Sequence, residues 1–403
     1  MFKTIPRFRP HNFIGLKEAF FDLLNDTESI ARFEEQFARY ISVDHAIAVP
    51  SATSGTYHIL KSLGLVQSEI IMPAYTFWTI PNMALLTGFK PVFVDIDDYY
   101  TVNHDLIKNK LSKKTKVVLP THMFGQPCDM DGVLDAVKNK DITVIEDCAP
   151  ACGAEYKRRK VGGLGDFGIF SFNKFKNLTT FGGGMITTNN DKLAEKIRRQ
   201  LETLQDPSRK YLSKKLLLNF AMKYITNPYI FGSLIYPLIF SLNSMGVDLL
   251  DKLFREKIEL LDKLPNKHKF SDFQAKIGMK HLTLLDEVND KRIKNCQLFS
   301  DVIAENNDIV LPQKRDGTKH IFLNYAVKVK NKYSVADKLL LKSVDVRRNQ
   351  VQVCSNLDIF RGYNAHCPNA TTLGKDILDI PVSSFLTKKE VHSIANTLLD
   401  ITK

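Results

Sequence analysis

Two things are scarce in this sequence: cysteine, and long apolar runs near the amino end. Six cysteines are spread over 403 residues, and the one close pair, Cys148 and Cys152, has no second pair at the spacing of a zinc site. The opening residues, MFKTIPRFRPHNF, include no apolar stretch of signal-peptide length. These absences argue against a disulfide framework, a metal site and secretion. They predict a reduced, cytoplasmic protein.

Acidic residues are outnumbered by basic ones. The chain has 56 lysines and arginines against 44 aspartates and glutamates, a net charge of +12. Such an excess suits anionic partners, which include phosphorylated metabolites, nucleic acid and acidic membrane surfaces, and charge alone does not choose among them. A hydrophobic content of 44% over this length is enough for a large core and two or three domains.

Short apolar runs rich in β-branched residues alternate with longer amphipathic stretches over the first half of the chain. This order is typical of an α/β domain with a mainly parallel sheet sandwiched by helices. The predicted strands are residues 46–50, 69–73, 91–96, 116–122, 142–147, 167–172 and 184–188. Because ligands of such sheets bind beyond the carboxyl ends of the strands, the side chains found there are the candidate site.

Three of these strand ends carry groups suited to chemistry. Ser54, Gly55 and Thr56 belong to a small hydroxyl-rich turn that opens a helix, and its N–H groups suit a phosphate, although the same residues also make ordinary helix caps. Phe77 belongs to an aromatic cluster that could stack on a flat ligand or simply pack in the core. Asp147 ends an apolar strand, where a carboxylate needs a cationic or hydrogen-bonding partner or caps a helix.

The sixth strand leads into SFNKFKNLTTFGGG, residues 171–184, which offers two lysines and three glycines. Just before it, residues 163–168 read GLGDFG and match the GxGxxG pattern of dinucleotide-binding proteins. That pattern normally follows a strand and opens a helix, whereas here it follows a basic run and leads into an apparent strand. We therefore expect no dinucleotide site in this segment.

Seven segments follow one another in a fixed order: SGT (54–56), PAYTF (73–77), PVFVDID (91–97), HMFGQP (122–127), VIEDCAPACGAEY (144–156), GDFGIFSF (165–172) and KNLTTFGGGMITTN (176–189). Taken in this order, they resemble the DegT/DnrJ/EryC1/StrS sugar aminotransferases, which are similar in fold to aspartate aminotransferase and use pyridoxal phosphate. The resemblance is collinear over about residues 30–200 and resumes over about 268–403. It implies a large pyridoxal phosphate-binding domain (1–205), an insertion (206–267) and a smaller α+β domain (268–403).

The resemblance also implies roles for single residues. Lys176 would bind the cofactor aldehyde and move the proton, and Asp147 would keep the pyridine nitrogen protonated. Ser171 and the turn at 54–56 would bind the cofactor phosphate, and Phe77 would lie against the ring. In the family the lysine lies five positions after a serine, which selects Lys176. Lys174 is then either an extra cation near the phosphate or a solvated side chain.

Three positions depart from the family pattern. Pro150 stands where a glutamine or histidine usually lies beside the phenolic oxygen of the cofactor, and proline cannot donate that hydrogen bond. The usual GEGG reads FGGG at residues 181–184, without the glutamate. The usual GYNYR, which reaches the phosphate of the neighbouring subunit, is replaced around residues 265–274. Lys267 or Lys269 is a candidate for the missing positive charge there.

Residues 206–262 do not align with the family. Their central part, residues 224–247, carries no charge, and five basic residues precede it. One membrane crossing is not expected, because the flanking segments belong to one fold and Pro228 and Pro237 would interrupt a straight helix. Two readings stay open: a helical hairpin that dips into one leaflet, or an insertion that packs against the body or a second subunit.

The resemblance implies a homodimeric aminotransferase that moves an amino group from glutamate or glutamine to a keto-sugar on a nucleotide or lipid carrier. Arg347 and Arg348 are candidates for an anionic group of the substrate, or form a solvated basic turn. We expect no nucleic-acid partner, and a cytoplasmic enzyme that is peripheral on the inner face of the membrane if the hairpin meets lipid. A sugar dehydratase is an alternative, although such relatives replace the lysine that Lys176 retains. A catalytically degenerate homologue that binds a ligand or a membrane is another.

Overall fold

A computed structural model describes residues 3–7, 28–245, 247, 257–264, 266–348 and 351–402. Its first half is built around one large sheet with helices packed against it. The elements are α1 (Ser29–Ile41), β1 (His45–Val49), α2 (Ala52–Leu63), β2 (Glu69–Pro73), β3 (Tyr75–Thr76), α3 (Thr79–Leu86), β4 (Lys90–Val94), α4 (His104–Lys110), β5 (Thr115–Val118), α5 (Met130–Val137), β6 (Thr143–Asp147), β7 (Glu155–Tyr156), β8 (Arg159–Lys160), β9 (Phe167–Ser171), β10 (Gly184–Thr188) and α6 (Asp191–Glu202).

The large sheet has seven strands in the order β1-β10-β9-β6-β5-β2-β4. The strands from β9 to β4 are mutually parallel, whereas β10 runs antiparallel to both of its neighbours. All seven predicted strands are present, and the mainly parallel α/β fold is confirmed. β9 and β10 are antiparallel because the loop between them returns directly, without a crossover helix. That loop is the lysine- and glycine-rich segment singled out in the sequence.

The second half adds two groups of helices and a small sheet. Its elements are α7 (Arg209–Ile225), α8 (Pro228–Ile230), α9 (Tyr236–Ser244), α10 (Asp272–Ile303), β11 (Ile309–Val310), β12 (Thr318–Lys319), β13 (Tyr325–Val329), α11 (Lys332–Leu341), β14 (Gln352–Val353), α12 (Pro368–Asp376), β15 (Ile377–Ile380) and α13 (Lys388–Thr402). Strands β11, β13 and β15 form a three-stranded sheet in that order. The long helix α10 packs on both α1 and α13 and so joins the two halves.

Short strands also bring the second half to the carboxyl edge of the large sheet. β14 pairs with β3, and β12 pairs with β7. At the amino end, Ile5 forms a bridge with Val344, and Arg7 donates from Nε to an Asp345 carboxylate oxygen at 2.8 Å. Residues 3–7 therefore pack on the part of the chain assigned from sequence to the small domain.

The insertion consists of two helical segments that meet at an angle. α7 and the segment Pro228–Asn243 are bent by 68°, and within the described residues no single helix is long and apolar enough to cross a bilayer. α7 packs through Leu216 against Phe273 of α10. α9 packs against α11, where the Tyr236 hydroxyl donates to the Leu340 carbonyl at 2.6 Å. The two segments of the insertion are thus attached to different parts of the body.

Candidate active site

The β9–β10 loop meets the amino end of α2 at the carboxyl edge of the large sheet. Ser51, which caps α2, forms a bridge with Gly183 of the loop. The amide of Phe172 donates to the Gly183 carbonyl at 2.9 Å, and Ser171 lies opposite Gly184 in the β9–β10 register. These contacts bring together segments that the sequence places more than a hundred residues apart.

Lys176 lies in this loop and is half-buried. Burial lowers its pKa from 10.5 to about 8; the charge of Asp147 acts in the opposite direction, and that of Arg347 lowers the pKa further. The next residue, Asn177, holds the loop in place, because its side-chain amide donates to the Cys152 carbonyl at 2.6 Å and to the Asn289 amide oxygen at 2.9 Å. The loop therefore presents an amine of which about half is neutral near pH 8, on a fixed backbone.

Asp147 ends β6 and is 3% exposed. Its Oδ1 accepts from the Ala149 amide at 3.0 Å, and its Oδ2 accepts from the Thr121 hydroxyl at 3.4 Å. Burial raises its pKa, and the Ala149 hydrogen bond and the charge of Lys176 offset only part of that rise. Such a carboxylate is stabilised in its charged form by a further cation. Pro150 lies in the same turn and is half-buried.

The start of α2 contains a buried hydroxyl that is suited to a phosphate. The Ser54 Oγ is buried and has no hydrogen-bond partner among the residues that the structure describes. The Thr56 hydroxyl is already engaged, since it donates to the Ala52 carbonyl at 3.1 Å. Gly55 lets the helix approach the sheet, because a Cβ there would lie 3.3 Å from a carbon of Ile186. The Ser54 hydroxyl and the first N–H groups of α2 therefore offer donors at this end of the site.

The aromatic cluster after β2 divides into a buried and an accessible part. Trp78 and Tyr75 are buried, whereas Phe77 is 37% exposed and its ring lies 6.4 Å from that of Trp78, tilted by 49°. An exposed ring beside a strand end can lie against a flat ligand. Together with Lys176, Asp147 and the Ser54 end of α2, it fits pyridoxal phosphate, which has an aldehyde, a pyridine nitrogen and a phosphate.

The two arginines proposed for an anionic substrate group lie in different surroundings. Arg347 exchanges backbone hydrogen bonds with Asp379, at 3.0 and 3.3 Å, and its charge reaches Lys176. Arg348 instead bonds to the Asp337 carboxylate, and to the Asn243 amide oxygen at 3.0 Å. Only Arg347 therefore belongs to the electrostatic surroundings of the lysine.

Asp379, on β15, pairs with Arg347 through the backbone and was not singled out from the sequence. Burial raises its pKa to about 7, although Arg347 and a 2.7 Å hydrogen bond from the Asn324 amide act to lower it. The signal was present in the segment LDIPVSSF, but an aspartate within a short apolar strand does not reveal from sequence which face it takes.

Backbone amides of the GxGxxG segment donate hydrogen bonds to the buried carboxylate of Glu146. One carboxylate oxygen accepts from the amides of Leu164 and Gly165 at 2.7 and 2.8 Å, and the other from Gly162 at 2.9 Å and from His122 Nε2 at 3.0 Å. Burial alone would raise the pKa of Glu146, but His122 and the loop amides outweigh it and hold that pKa below its usual value. The N–H groups that would hold a dinucleotide phosphate are therefore engaged.

Comparisons with known proteins agree with this geometry. Residues 22–399 match the sequence profile of the DegT/DnrJ/EryC1/StrS aminotransferase family. The chain is 27% identical to the spore coat polysaccharide biosynthesis protein SpsC of Bacillus subtilis over 94% of its length and 91% of that protein. It is 40% identical to GDP-perosamine synthase of Caulobacter vibrioides, over 49% of this chain and 53% of that protein. Its fold is similar to that of Helicobacter pylori PseC, an aminotransferase involved in pseudoaminic acid biosynthesis, with a TM-score of 0.79, 18% identity and 99% of both chains covered.

Proposed function

Because this chain belongs to the DegT/DnrJ/EryC1/StrS aminotransferase family, whose members depend on pyridoxal phosphate, we propose that it transfers an amino group from glutamate or glutamine to a keto-sugar on a carrier. The observation that carries the proposal is the placement of Lys176 and Asp147 within electrostatic reach of each other, in the loop and strand that meet the Ser54 end of α2. A sugar-nucleotide acceptor is supported by the similarity to GDP-perosamine synthase.

Lys176 moves the protons in this proposal. When bound, pyridoxal phosphate supplies a carbonyl that takes up the amino group and a ring that accepts electrons from the substrate carbon. The Lys176 amine, whose pKa is lowered to about 8, removes the proton from the carbon that bears the amino group of the donor. In the second half of the reaction it delivers a proton to the former keto carbon of the acceptor.

The other site residues would orient the cofactor and polarise its ring. Asp147, a buried carboxylate whose pKa is raised by burial, would lie beside the pyridine nitrogen and keep a proton on it. Ser54, Ser171 and the first amides of α2 would bind the phosphate, and Phe77 would lie against the ring. Pro150 contributes no hydrogen bond to the phenolic oxygen, because it has no N–H group.

Replacement of Lys176 tests the proposal. Lys176→Ala should abolish both amino transfer and the visible absorbance of the protein-bound cofactor. Lys174→Ala, two residues earlier in the same loop, is the matched control and should retain both. If Lys176→Ala keeps its absorbance and its activity, the assignment is wrong. A panel of nucleotide-linked keto-sugars then identifies the acceptor.

We also propose a homodimer with active sites at the subunit interface, in the cytoplasm. The support is the family resemblance, in which a segment of one subunit reaches the cofactor phosphate of the other. Light scattering of the purified holoenzyme measures the mass directly. A fully active monomer would contradict this part of the proposal.

We further propose that the insertion places the enzyme on the inner face of a membrane, where a lipid-linked keto-sugar is an accessible acceptor. Leu217 and Leu218 of α7 are 71% and 57% exposed, and Leu234 and Leu238 of the following helical segment are 70% and 52% exposed. Exposed basic residues precede them on α7: Arg209, Lys210 and Lys214. Apolar side chains beside cations suit the boundary between acyl chains and anionic headgroups.

Sedimentation with vesicles tests the membrane proposal. The wild type should sediment with vesicles that contain anionic lipid and less with neutral ones. Leu234→Asn with Leu238→Asn should reduce sedimentation without unfolding the protein, since both side chains are exposed. Val66→Asn, at a site that is 76% exposed on another part of the surface, is the control. If the leucine variants instead change the oligomeric state, a second copy of the chain covers this surface.

Two other activities would give different spectra and products. A sugar dehydratase would release water from the sugar and leave the nitrogen of the donor untouched, and the retained Lys176 argues against it. A degenerate homologue would show no change in absorbance when glutamate is added to the purified holoprotein. A glutamate-dependent change, followed by recovery upon addition of a keto-sugar, supports the aminotransferase.

A further inference from the structure

The side chain of Gln352 has a polar end that the described residues leave unsatisfied. Gln352 begins β14 and is half-buried, and its Oε1 is buried without a hydrogen-bond partner among the residues that the structure describes. An unpaired buried polar atom costs free energy, so this amide needs a partner beyond those residues. The position of Gln352 on its strand indicates where that partner lies.

The pairing of β14 with β3 fixes the direction of this side chain. Gln352 lies opposite Thr76, and Val353 lies opposite Tyr75. Residues directly opposite each other in an antiparallel pair point to the same face, whereas consecutive residues of a strand point to opposite faces. Val353 faces α12, because its Cγ2 lies 2.8 Å from the position that a Cβ on Gly374 would occupy. Gln352 and Thr76 therefore share the other face.

That face leads to the carboxylate that we assign to the pyridine nitrogen. Thr76 is fully buried, and its hydroxyl oxygen lies 3.4 Å from the hydroxyl oxygen of Thr121. The Thr121 hydroxyl donates in turn to Asp147 Oδ2 at 3.4 Å. Thr76 is directly followed by Phe77, the exposed ring assigned to the cofactor. Gln352 thus lies at the rim of the candidate active site, beside the threonines that connect to Asp147.

Gln352 also lies on the side of the site away from the phosphate donors. In the large sheet, β6 with Asp147 has β9 with Ser171 on one side, and β5 followed by β2 on the other. Thr121 and Thr76 come after β5 and β2. Pyridoxal phosphate carries its phosphate arm and its phenolic oxygen on opposite sides of the line from the ring nitrogen to the aldehyde carbon. With the nitrogen at Asp147 and the phosphate towards β9, the phenolic oxygen would be directed towards β5 and Gln352.

The chain lacks another donor for that oxygen at the position where the related aminotransferases supply one. Pro150 stands there in place of a glutamine or histidine, and proline has no N–H group to donate. A glutamine amide carries an oxygen and an NH₂ group on the same carbon, so a half-turn of the amide places either of them at the same point. The buried end of Gln352 can therefore donate an N–H to the oxygen that Pro150 leaves without a donor.

We propose that Gln352 binds the phenolic oxygen of pyridoxal phosphate and supplies, from β14, the hydrogen bond that Pro150 cannot make. The inference rests on the proposed function, because it requires the cofactor, and it adds a cofactor-binding residue from the second half of the chain. A donor at the phenolic oxygen stabilises negative charge there. It therefore lowers the pKa at which the bound cofactor loses its proton.

The absorbance of the purified holoenzyme as a function of pH tests the assignment. Gln352→Met keeps the length of the side chain and removes the donor. The pH midpoint of the visible absorbance should then rise by about one to two units, the 10- to 100-fold change expected for one hydrogen bond to a charged group. Gln313→Met makes the same change at an exposed position and should leave the midpoint in place. The charged groups Asp147, Lys176 and Arg347 are the same in all these variants.

Two more variants separate a role at the phenolic oxygen from a general effect on the fold. Gln352→Glu keeps the shape of the side chain and should raise the midpoint at least as far, because an ionised carboxylate cannot donate. Pro150→Gln combined with Gln352→Met should return the midpoint towards the wild-type value, because it restores an amide at the other position. A wild-type midpoint in Gln352→Met, an equal shift in Gln313→Met, or a double variant that keeps the shifted midpoint would overturn the inference.

This measurement does not depend on the acceptor sugar, because it requires only the bound cofactor. If the midpoint shifts as expected in a holoenzyme that transaminates no keto-sugar, the proposed function fails and the assignment of Gln352 stands. If the midpoint does not shift in a holoenzyme that transaminates a keto-sugar, the assignment of Gln352 fails and the proposed function stands.

Discussion

The lowered pKa of Lys176 predicts how readily the apoprotein takes up its cofactor. An amine must be neutral to attack an aldehyde. Burial shifts this pKa from 10.5 to about 8. At pH 7 roughly one amine in ten is then neutral, against about one in three thousand for an unshifted lysine, a gain of about 300-fold in the reactive form. The capture rate should therefore rise with pH and level off once the pH passes about 8.

Replacement of Arg347 is the change that tests the pKa of Lys176. Its positive charge lowers the pKa of Lys176, so Arg347→Gln should raise that pKa and move the capture curve to higher pH. Arg348→Gln makes the same change of charge one residue away, but Arg348 bonds to Asp337 and Asn243 and should leave the curve in place. Stopped-flow absorbance after mixing apoprotein with pyridoxal phosphate, at a series of pH values, gives each curve.

Two results would refute the reasoning. A wild-type curve that keeps rising towards pH 10 would mean that the lysine is not buried enough to lose its proton early. Equal shifts in the Arg347 and Arg348 variants would mean that general surface charge, and not the position of Arg347 beside the site, sets the pKa.

Three further predictions concern stability. Asp379 has a pKa of about 7 in the folded protein, above its ordinary 3.8, so its contribution to stability falls as the pH rises between these two values. Asp379→Asn should therefore raise Tm relative to the wild type at pH 8 and should not do so at pH 3.5. Glu146→Gln should destabilise the fold by about 3 to 5 kcal/mol, measured by urea unfolding, because it breaks a fully buried pair and turns an amide donor towards other donors. Gly183→Ala should lower Tm, since φ is +104° and a Cβ would lie 2.3 Å from the Phe270 ring, whereas Gly362→Ala, with no atom within 4 Å, should not.

The strands of the large sheet were predictable because their signal is local. Runs of buried β-branched and aromatic residues mark each strand, and the seven predicted strands are the seven strands of the sheet. The return of β10 was less evident, because period and composition do not state the direction of a strand. The GxGxxG segment could also be rejected as a dinucleotide-binding site from local sequence, since that decision depended on the residues that precede and follow the glycines. The hydrogen bonds to Glu146 were not predictable in this way, because those amides bond to a carboxylate that lies 16 and 18 residues earlier.

The candidate site also combines features that local sequence predicts with features that only packing decides. Lys176 and Asp147 could be proposed from the order of motifs, because each lies at a recognisable strand end. Arg347 and Arg348 could not be told apart, since adjacent residues in an extended segment point to opposite sides and only the packing of β15 fixes which side faces the lysine. Likewise, the sequence shows that Gly182 lacks a carboxylate but not that Lys215 takes the space beside it.

By itself, the sequence determined the seven strands of the large sheet and the loop that carries the lysine, because hydrophobic period, turn residues and short motifs act over a few residues. Only the tertiary structure decided which charges surround that loop. The pKa of Lys176 depends on burial, on Asp147 and on Arg347, and the pKa of Lys215 depends on burial. Burial and charge are sums over neighbours in space, and those neighbours come from every part of the chain.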